Sequence, residues 1–394
     1  MLKCSVNNET VYLFPEGRID SANAPCFEAE IRQQIERNLV SNVVIDAEKL
    51  EYVSSSGLRV LLRMKKSGIR LSVINVRPSV FEVLELTGFT MMVEVQKAIR
   101  CVSVDTLPLI GKGTTGDVYR LNSEQVIKVY RNAALENIKR EREIAQFAFL
   151  HDIDTALVFE TVRVGDQYGQ IFEWLDGISF QDKLEQEPEH DQKNMVMYAE
   201  MLKKINSIPS GDCVTNDIAA RLRDSIPAIT EGWTDEERSI LQNLADMLPE
   251  YRMLLHNDFG PTNVMVRNDS LLLIDLGGSG FGHPILDLAS VYSYFGYILD
   301  LIPPQLAEKE TGLNPARVRT QWRIFLETYT GTDNPDFLLP LEHQIRLYTC
   351  FRLLSFFAEE TDTPQLLRDG TKNYLLSLWH RQPVDTLIDP TALL

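Results

Sequence analysis

One segment, LLHNDFGPTNVMV (254–266), constrains the chain more than any other. Its apolar ends predict two short strands, and the loop between them carries His256, Asp258 and Asn263 in the spacing H-x-D-x-x-x-x-N. The next apolar run ends at Asp275 in Asp-Leu-Gly. An aspartate in such a loop can orient a hydroxyl group and accept its proton, while Asn263 and Asp275 offer the hard oxygen ligands that Mg²⁺ prefers. The alternative is a turn that uses Asp and Asn only as turn formers, with His256 as a core residue.

Two further motifs stand upstream in a consistent order. IGKGTTGDVY (110–119) fits G-x-G-x-x-G-x-V through Gly111, Gly113 and Gly116, and glycines let a hairpin backbone approach nucleotide phosphates closely. A second strand follows where a dinucleotide-binding fold would have a helix, and that strand carries Lys128 in VIKV. A lysine after a phosphate loop can pair with the α- and β-phosphates of ATP. The three motifs together predict ATP- and Mg²⁺-dependent phosphoryl transfer, with an aspartate as the catalytic residue.

Lys128 has two interpretations, a phosphate-binding residue or an outward-facing residue on the surface of the strand. If it is buried, it needs a carboxylate partner. The helical segment that follows, ENIKREREIAQFAF, offers Glu141 and Glu143, two positions apart. We favour Glu143 as the partner, which leaves Glu141 as a surface residue.

The domain that we place at 101–394 resembles the aminoglycoside phosphotransferase and choline kinase group, within the protein-kinase-like fold. The specific part of the resemblance is HNDFGPTNVMV, LLLIDLG and HPILDLA. It implies an α+β bilobal fold, with an N-lobe over about 105–175, a hinge over about 173–176 and a large helical C-lobe over about 177–394. ATP and Mg²⁺ are the cofactors that the resemblance implies.

The same resemblance assigns roles to single residues. Backbone groups of Glu173, Trp174 and Leu175 in the hinge would meet adenine and form part of the ATP site. Asp287, in HPILDLA, would steady the catalytic loop through hydrogen bonds, and His256 would likewise be structural. One departure is the asparagine between the histidine and the aspartate of the loop, where these enzymes often have a small residue. That side chain need not face the phosphate.

The first hundred residues follow a different pattern, in which strands and helices alternate and predict an α/β sandwich. GRID (17–20), VVIDAEKLEYVSSSGLRVLL (43–62) and SVFEVLELTGF (79–89) resemble a STAS domain, the fold of bacterial anti-sigma factor antagonists. We place this domain at residues 1–100. In that family a partner kinase phosphorylates a serine at the start of a helix, and the phosphate switches binding to that partner off. The resemblance makes Ser55 the candidate phosphorylation site.

The three serines of YVSSSGL admit two interpretations. A serine before an apolar helix is a good N-cap and contributes about 0.5–2 kcal/mol of stability. The same helix start tolerates a phosphate, because its free N–H groups and the helix dipole favour negative charge. The sequence leaves capping and switching equally open for Ser55, whereas Ser54 and Ser56 are more simply helix-start residues.

Charge and composition narrow the functional class. The net charge is −17, but residues 1–100 hold 13 Lys/Arg and 12 Asp/Glu, so residues 101–394 carry a net charge of −18. Such acidity argues against a nucleic-acid partner and suits either plain solubility or a cationic substrate. Five scattered cysteines without CxxC spacing and no apolar leader predict a cytoplasmic protein. The most apolar run (284–304) contains two aspartates and predicts a buried helix, with no membrane span.

These observations lead to one main hypothesis and two alternatives. The main hypothesis is a cytoplasmic phosphotransferase that moves the γ-phosphate of ATP to a hydroxyl group of a small molecule, of the aminoglycoside or choline kind or an unknown metabolite, under control of a STAS regulatory domain. The first alternative is a partner-switching regulator whose kinase half phosphorylates a protein serine, with Ser55 as the first candidate. The second is a nucleotide sensor without turnover that signals to a protein partner through the STAS surface.

Overall fold

The structure is a computed structural model of the 394-residue chain. It describes residues 2–7, 10–38, 41–113, 115–211, 216–250, 252–302, 314–360 and 362–389. Backbone contacts divide the chain into two compact units. The first consists of Met1–Ser103 with Val162–Gly165, and the second of Val104–Thr161 with Asp166–Leu394.

The first unit alternates strands and helices, as the sequence predicts. Its strands are β1 (Lys3–Asn7), β2 (Thr10–Phe14), β3 (Gly17–Ile19), β4 (Asn42–Asp46), β5 (Leu50–Val53), β6 (Arg70–Val76), β7 (Glu94–Lys97) and β8 (Arg100–Cys101). Its helices are α1 (Ala24–Asn38), α2 (Ser55–Lys66), α3 (Pro78–Leu86) and a 3₁₀ turn (Phe89–Met91). The main sheet has the order β1-β2-β4-β6-β7, and β3 pairs with β5 beside it.

The hydrophobic pattern of this unit sets its core. Strand β4 runs parallel to both β2 and β6, and its alternate residues Val43 and Ile45 are buried, which is the period of a strand with one face in the core. Phe27 and Ile31 from α1 and Leu61 from α2 belong to the same buried cluster. The helices therefore supply the apolar layer against which the sheet packs.

Helix α2 begins immediately after the candidate phosphorylation segment. Ser54 is its N-cap: the backbone is extended and the side-chain oxygen accepts a hydrogen bond from the Gly57 N–H at 3.3 Å. Ser55 is the first residue of the helix and is exposed. Capping is thus carried by Ser54, and Ser55 lies in solvent at the helix start.

The second unit opens with strands around one long helix. These elements are β9 (Leu109–Lys112), β10 (Gly116–Arg120), β11 (Gln125–Tyr130), α4 (Leu135–Leu150), β12 (Val158–Val164) and β13 (Gln167–Glu173). The end of β12, from Val162 on, is counted with the first unit. In their sheet β12, β13, β11, β10 and β9 are consecutive. The glycine motif therefore forms the β9–β10 hairpin, and Lys128 lies on β11, the next strand of the sheet.

The rest of the second unit is largely helical, with short strands around the catalytic motif. Its helices are α5 (Phe180–Gln186), α6 (Asp191–Asn206), α7 (Ile218–Ile229), α8 (Asp235–Asp246), α9 (Ile285–Tyr292), α10 (Ile298–Leu301), α11 (Pro315–Thr330), α12 (Pro335–Glu359) and α13 (Gln365–Arg381), with 3₁₀ turns at Pro188–His190 and Leu276–Gly278 and a π-helical turn at Ser293–Tyr297. Its strands are β14 (Ile178–Ser179), β15 (Met253–Leu255), β16 (Val264–Arg267), β17 (Ser270–Leu273) and β18 (Gly280–Gly282).

The apolar run that the sequence assigns to a buried helix forms α9, the π-helical turn and α10, and its last two residues lie outside the described part of the chain. Every residue of α9 is buried. Within the described ranges, no helix combines the length and the apolar character that crossing a membrane requires.

Candidate active site

The loop between β15 and β16 presents Asp258. Its side chain is exposed, and each of its carboxylate oxygens accepts one hydrogen bond. The Asn263 amide nitrogen donates to Oδ2 at 2.8 Å and also to the Asp258 carbonyl at 2.9 Å. The Tyr294 hydroxyl donates to Oδ1 at 3.0 Å. The predicted catalytic residue is therefore held at both oxygens while it remains open to solvent.

A buried carboxylate organises the start of this loop. Asp287 is fully buried and accepts hydrogen bonds from the backbone N–H groups of His256 at 3.0 Å and Asn257 at 2.6 Å. Asn206 donates to it as well, at 2.8 Å. Burial raises the pKa of Asp287, and these donors offset part of that effect. Asp287 thus contacts the loop in the way that the resemblance implies.

His256 is also buried and bridges the loop to the neighbouring strand. Its Nδ1 accepts from the Asp258 N–H at 3.3 Å, so the proton lies on Nε2, which faces the Ile274 carbonyl at 3.1 Å. Both ring nitrogens are used in backbone contacts. This arrangement fits the structural role predicted for His256.

The asparagine that departs from the family pattern has a distinct structural position. Asn257 has φ = 64°, in the left-handed region that asparagine tolerates better than most residues. Its amide donates to the Gly278 carbonyl at 3.1 Å. The Arg352 guanidinium, from α12, donates to the Asn257 carbonyl and to its side-chain oxygen. Asn257 therefore joins the loop between β15 and β16 to the Asp-Leu-Gly segment and to α12, and its side-chain hydrogen bonds go to Gly278 and Arg352.

Asp275 and Lys128 meet directly. Asp275 has φ = 57°, an uncommon conformation for a non-glycine residue, and its Oδ1 lies 2.7 Å from the Lys128 Nζ. Lys128 is 8% exposed, so it does not occupy the outward-facing position that was its alternative. Burial lowers the pKa of Lys128, but the nearby carboxylates raise it by more, so the lysine stays charged.

The second carboxylate beside Lys128 belongs to Glu141, and the prediction of Glu143 is wrong. Glu141 is 4% exposed with Oε1 at 3.5 Å from Lys128 Nζ, and Tyr130 donates to its Oε2 at 2.9 Å. Glu143 is exposed. Two positions on a helix differ by about 200° in direction, so only one of the two glutamates can face the lysine. Burial raises the pKa of Glu141, and Lys128 opposes that shift.

This correction gives a matched pair of variants. Glu141→Ala is expected to lower the free energy of unfolding of the second unit by about 1–3 kcal/mol, because Lys128 loses one of its two carboxylates and Tyr130 loses an acceptor. Glu143→Ala, at an exposed position, is expected to change it by less than about 0.5 kcal/mol. All four tryptophans (Trp174, Trp233, Trp322 and Trp379) lie in the second unit, so denaturant unfolding followed by tryptophan fluorescence measures the difference. Equal effects of the two substitutions would contradict the assignment.

The three motif glycines are not equivalent in the structure. A Cβ at Gly116 would lie 2.3 Å from the Val129 carbonyl oxygen, a backbone atom that cannot move aside. At Gly111 and Gly113 the closest atoms would be 3.6 Å and 3.4 Å away. Of the three positions, only 116 therefore requires glycine for the close pairing of β10 with β11, and the other two leave room for a Cβ.

A cavity of about 590 Å³ joins the predicted nucleotide residues. Its lining includes the three glycines, Lys128, Glu141, the segment 173–175, Asn263 and Asp275. In that segment the Glu173 N–H donates to the Leu157 carbonyl at 2.9 Å and the Trp174 N–H to the Glu124 carbonyl at 2.7 Å. The Arg120 guanidinium lies over the Trp174 ring, with its Cζ 3.7 Å from the ring centroid.

Asn263 and Asp275 offer side-chain oxygens that could bind Mg²⁺ in this cavity. Asn263 uses its amide nitrogen for both hydrogen bonds to Asp258, which leaves its Oδ1 for a cation. Among the residues that the structure describes, three or more His, Cys, Asp or Glu side chains do not come together anywhere in an arrangement that could hold a metal ion. A site with one carboxylate and one amide suits Mg²⁺, which completes its octahedron with water and substrate phosphates.

His283, in the motif that also contains Asp287, predicts a pH dependence. Its Nδ1 accepts from the Ile285 N–H at 3.2 Å, and burial, with Arg252 nearby, lowers its pKa from 6.5 to about 4. Between these pH values the unfolded chain binds a proton that the folded chain does not, so stability falls as the pH is lowered from 6.5 to 4. His283→Asn keeps an acceptor but does not titrate. We expect it to reduce the pH slope by at most about 1.4 kcal/mol per unit, measured by denaturation at several pH values; an unchanged slope would contradict the prediction.

Three functional contacts are missed by sequence reasoning. Glu141 could have been found, because it shares a helical stripe with the buried Ile138, Ala145 and Ala148. Tyr294 and Arg352 carry no local signal, since they lie 36 and 95 positions from the loop residues that they contact.

Comparison with known proteins agrees with both resemblances. The model of the phosphotransferase enzyme family matches residues 106–323, and that of the STAS domain matches residues 2–100. A putative anti-sigma factor antagonist, BtrV of Bordetella bronchiseptica, is 37% identical over 78 residues, which are 19% of this chain and 66% of that protein. This chain therefore spans just under two thirds of that relative's length.

Two solved structures are similar to a large part of this chain. The streptomycin–ATP ternary complex of an aminoglycoside phosphotransferase has 17% identity and a TM-score of 0.45, over 75% of this chain and 95% of the other. A choline/ethanolamine kinase family protein from Mesorhizobium loti has 12% identity and a TM-score of 0.46, over 69% and 87%. The predicted fold class, an α/β STAS region followed by a kinase-like fold with a largely helical C-terminal part, is confirmed. The chain belongs to the phosphotransferase enzyme family and carries a STAS domain ahead of the family's characteristic region.

Proposed function

We propose that this chain is an ATP- and Mg²⁺-dependent phosphotransferase that moves the γ-phosphate to a hydroxyl group of a small molecule. The observation that carries the proposal is the cavity of about 590 Å³ that the glycine hairpin, Lys128, Asn263 and Asp275 line together. Its volume lies within the range of ligand pockets, about 300–1,000 Å³. Asp258 is exposed and hydrogen-bonded to Asn263, which lines the cavity, and these two facts support a role for Asp258 as the general base.

The residues support one sequence of events. The acceptor hydroxyl gives its proton to Asp258 as its oxygen bonds to the γ-phosphorus, and the bond from that phosphorus to the β–γ bridging oxygen breaks to leave ADP. Lys128, steadied by Glu141, would hold the α- and β-phosphates. Mg²⁺, when held by Asn263 and Asp275, would offset the negative charge of the phosphates.

For adenine, the free backbone donor is at Leu175. The N–H groups of Glu173 and Trp174 already donate to carbonyls, whereas within the described ranges the Leu175 N–H donates to no backbone carbonyl. Leu175 lines the cavity. We therefore assign the adenine hydrogen bond to the Leu175 N–H. Glu173 and Trp174 would line the adenine site without donating a backbone hydrogen bond to it.

The acceptor class follows from charge. Residues 101–394 carry a net charge of −18, which would attract a cationic hydroxyl compound and repel an anionic one. A compound of the aminoglycoside or choline kind meets this condition. We place the reaction in the cytoplasm, where ATP and Mg²⁺ are both plentiful.

The test is ATP turnover by the full chain with and without Mg²⁺ against a panel of cationic and neutral hydroxyl compounds. We expect at least one acceptor to be phosphorylated, and chelation of Mg²⁺ to stop the reaction. Nucleotide binding without turnover on any acceptor would favour the nucleotide-sensing alternative. Failure to bind ATP in the presence of Mg²⁺ would contradict both.

A second candidate function is partner switching by phosphorylation of Ser55. The observation that favours it is that Ser54 caps α2, so the helix does not need the Ser55 side chain as its cap. Ser55 is exposed at the helix N-terminus, a position that tolerates a phosphate. The STAS domain would then bind a regulatory protein, and a phosphate on Ser55 would alter that surface. The kinase that modifies Ser55 would be the second half of the chain or a separate partner.

Intact-mass measurement after incubation with ATP and Mg²⁺ tests the version in which the chain modifies itself. We expect one phosphate adduct in the wild type and none in Ser55→Ala or Asp258→Asn, with Ser56→Ala as the matched control that keeps the adduct. An adduct that persists in Ser55→Ala would exclude this site.

A further inference from the structure

Tyr294 contacts the catalytic loop although no motif includes it. It lies in the π-helical turn Ser293–Tyr297 that follows α9, and π-helical turns recur at functional sites. Its hydroxyl donates to Asp258 Oδ1 at 3.0 Å, on the carboxylate oxygen that Asn263 does not use. The residue is 37% exposed, so the contact is open to solvent on one side.

The loop is shaped to admit the Tyr294 ring. A Cβ at Gly260 would lie 2.4 Å from the ring carbon that bears the hydroxyl and 2.6 Å from the hydroxyl oxygen. Glycine at 260 therefore lets the ring lie directly on the loop backbone, two residues after Asp258. Burial raises the pKa of Tyr294 well above its usual range, so the hydroxyl remains a hydrogen-bond donor at neutral pH.

We propose that Tyr294 is a positioning residue for phosphoryl transfer, which anchors Asp258 Oδ1 so that Oδ2 faces the acceptor hydroxyl. The inference rests on the proposed function. In that reaction Asn263 serves the metal through its Oδ1, and Asp258 Oδ2 has a second lone pair for the proton of the acceptor. The bond from Tyr294 fixes the carboxylate at the opposite oxygen, so Oδ1 stays in place while Oδ2 reacts.

The electrostatic surroundings of this pair are mixed. Arg352 from α12 acts on both Tyr294 and Asp258, and the carboxylates of Asp275 and Asp287 lie close enough to influence the same cluster. Among these groups, Tyr294 is the one whose hydroxyl donates the hydrogen bond to Asp258 Oδ1. Loss of that hydroxyl therefore removes a direct hold on the carboxylate.

The test compares Tyr294→Phe with Tyr374→Phe in the full chain. Tyr374 is a matched control, because its hydroxyl also donates to a carboxylate, that of Asp300, at 2.7 Å and outside the site. We expect Tyr294→Phe to lower kcat roughly tenfold with the KM for ATP unchanged. Tyr374→Phe should leave kcat and the KM for ATP at wild-type values.

A double variant shows whether Tyr294 acts through Asp258. In an Asp258→Asn background, Tyr294→Phe should change the residual rate by less than about twofold, because non-additivity marks residues that act as a unit. A full tenfold loss in that background, or a wild-type kcat for Tyr294→Phe alone, would overturn the proposal. A wild type with no turnover on any acceptor would instead contradict the proposed function.

Discussion

Asp258→Asn is expected to lower kcat by about 10²–10⁴-fold, the usual contribution of a general base. The asparagine keeps an oxygen for the hydrogen bond from Tyr294 or Asn263, so the loop should hold its shape, but it cannot accept the acceptor's proton. The KM for ATP should change little, because the described residues that line the nucleotide cavity do not include Asp258. Steady-state kinetics on the acceptor found in the panel measures both constants.

The control for this variant is Asp246→Asn, which removes the same charge from an exposed position at the end of α8. It should retain the wild-type kcat and KM. A similar kcat for Asp258→Asn and the wild type would exclude Asp258 as the base and would favour a nucleotide-binding role for the fold.

Asp287→Ala is expected to lower the free energy of unfolding of the second unit by about 3 kcal/mol or more, since each buried donor left without an acceptor costs about 1–3 kcal/mol. Three donors lose their acceptor: the backbone N–H groups of His256 and Asn257, and the Asn206 side chain. Two of them belong to the catalytic loop, so kcat should fall as well. Denaturant unfolding followed by tryptophan fluorescence gives the stability.

Asp287→Asn provides a graded comparison, because it retains one acceptor oxygen at the same place. Its loss of stability should lie between those of the wild type and Asp287→Ala. If the free energy of unfolding of Asp287→Ala lies within about 0.5 kcal/mol of the wild-type value, as it would for an exposed substitution, the hydrogen bonds to Asp287 do not stabilise the loop.

The sequence is most informative where function depends on residues close together in the chain. His256, Asp258 and Asn263 share one loop, and the short distance along the backbone limits how far apart their side chains can lie. The Asp-Leu-Gly segment follows β17, and β17 pairs with β16, the strand that comes directly after this loop. Fixed spacing within a strand–loop–strand unit therefore allowed the chemistry to be predicted before the fold was known.

The same reasoning applies to the first unit. Apolar residues at strand and helix periods predicted an α/β sandwich, and Val43, Ile45, Phe27 and Ile31 are buried in its core. The serine segment was placed at the start of a helix, where α2 begins. Which serine caps that helix depends on the backbone angles at one position, and the structure shows that the cap is Ser54.

Tertiary structure decided the contacts that join distant parts of the chain. The choice between Glu141 and Glu143 depends on which face of α4 packs toward Lys128, because two positions on a helix point about 200° apart, and Glu141 is buried whereas Glu143 is exposed. Tyr294 and Arg352 reach the catalytic loop from helices that follow it by many residues. The sequence alone thus determined which candidate residues for phosphoryl transfer share one strand–loop–strand unit, because local spacing sets that. Packing of helices through space determined which side chains hold those groups in position, and no local pattern records it.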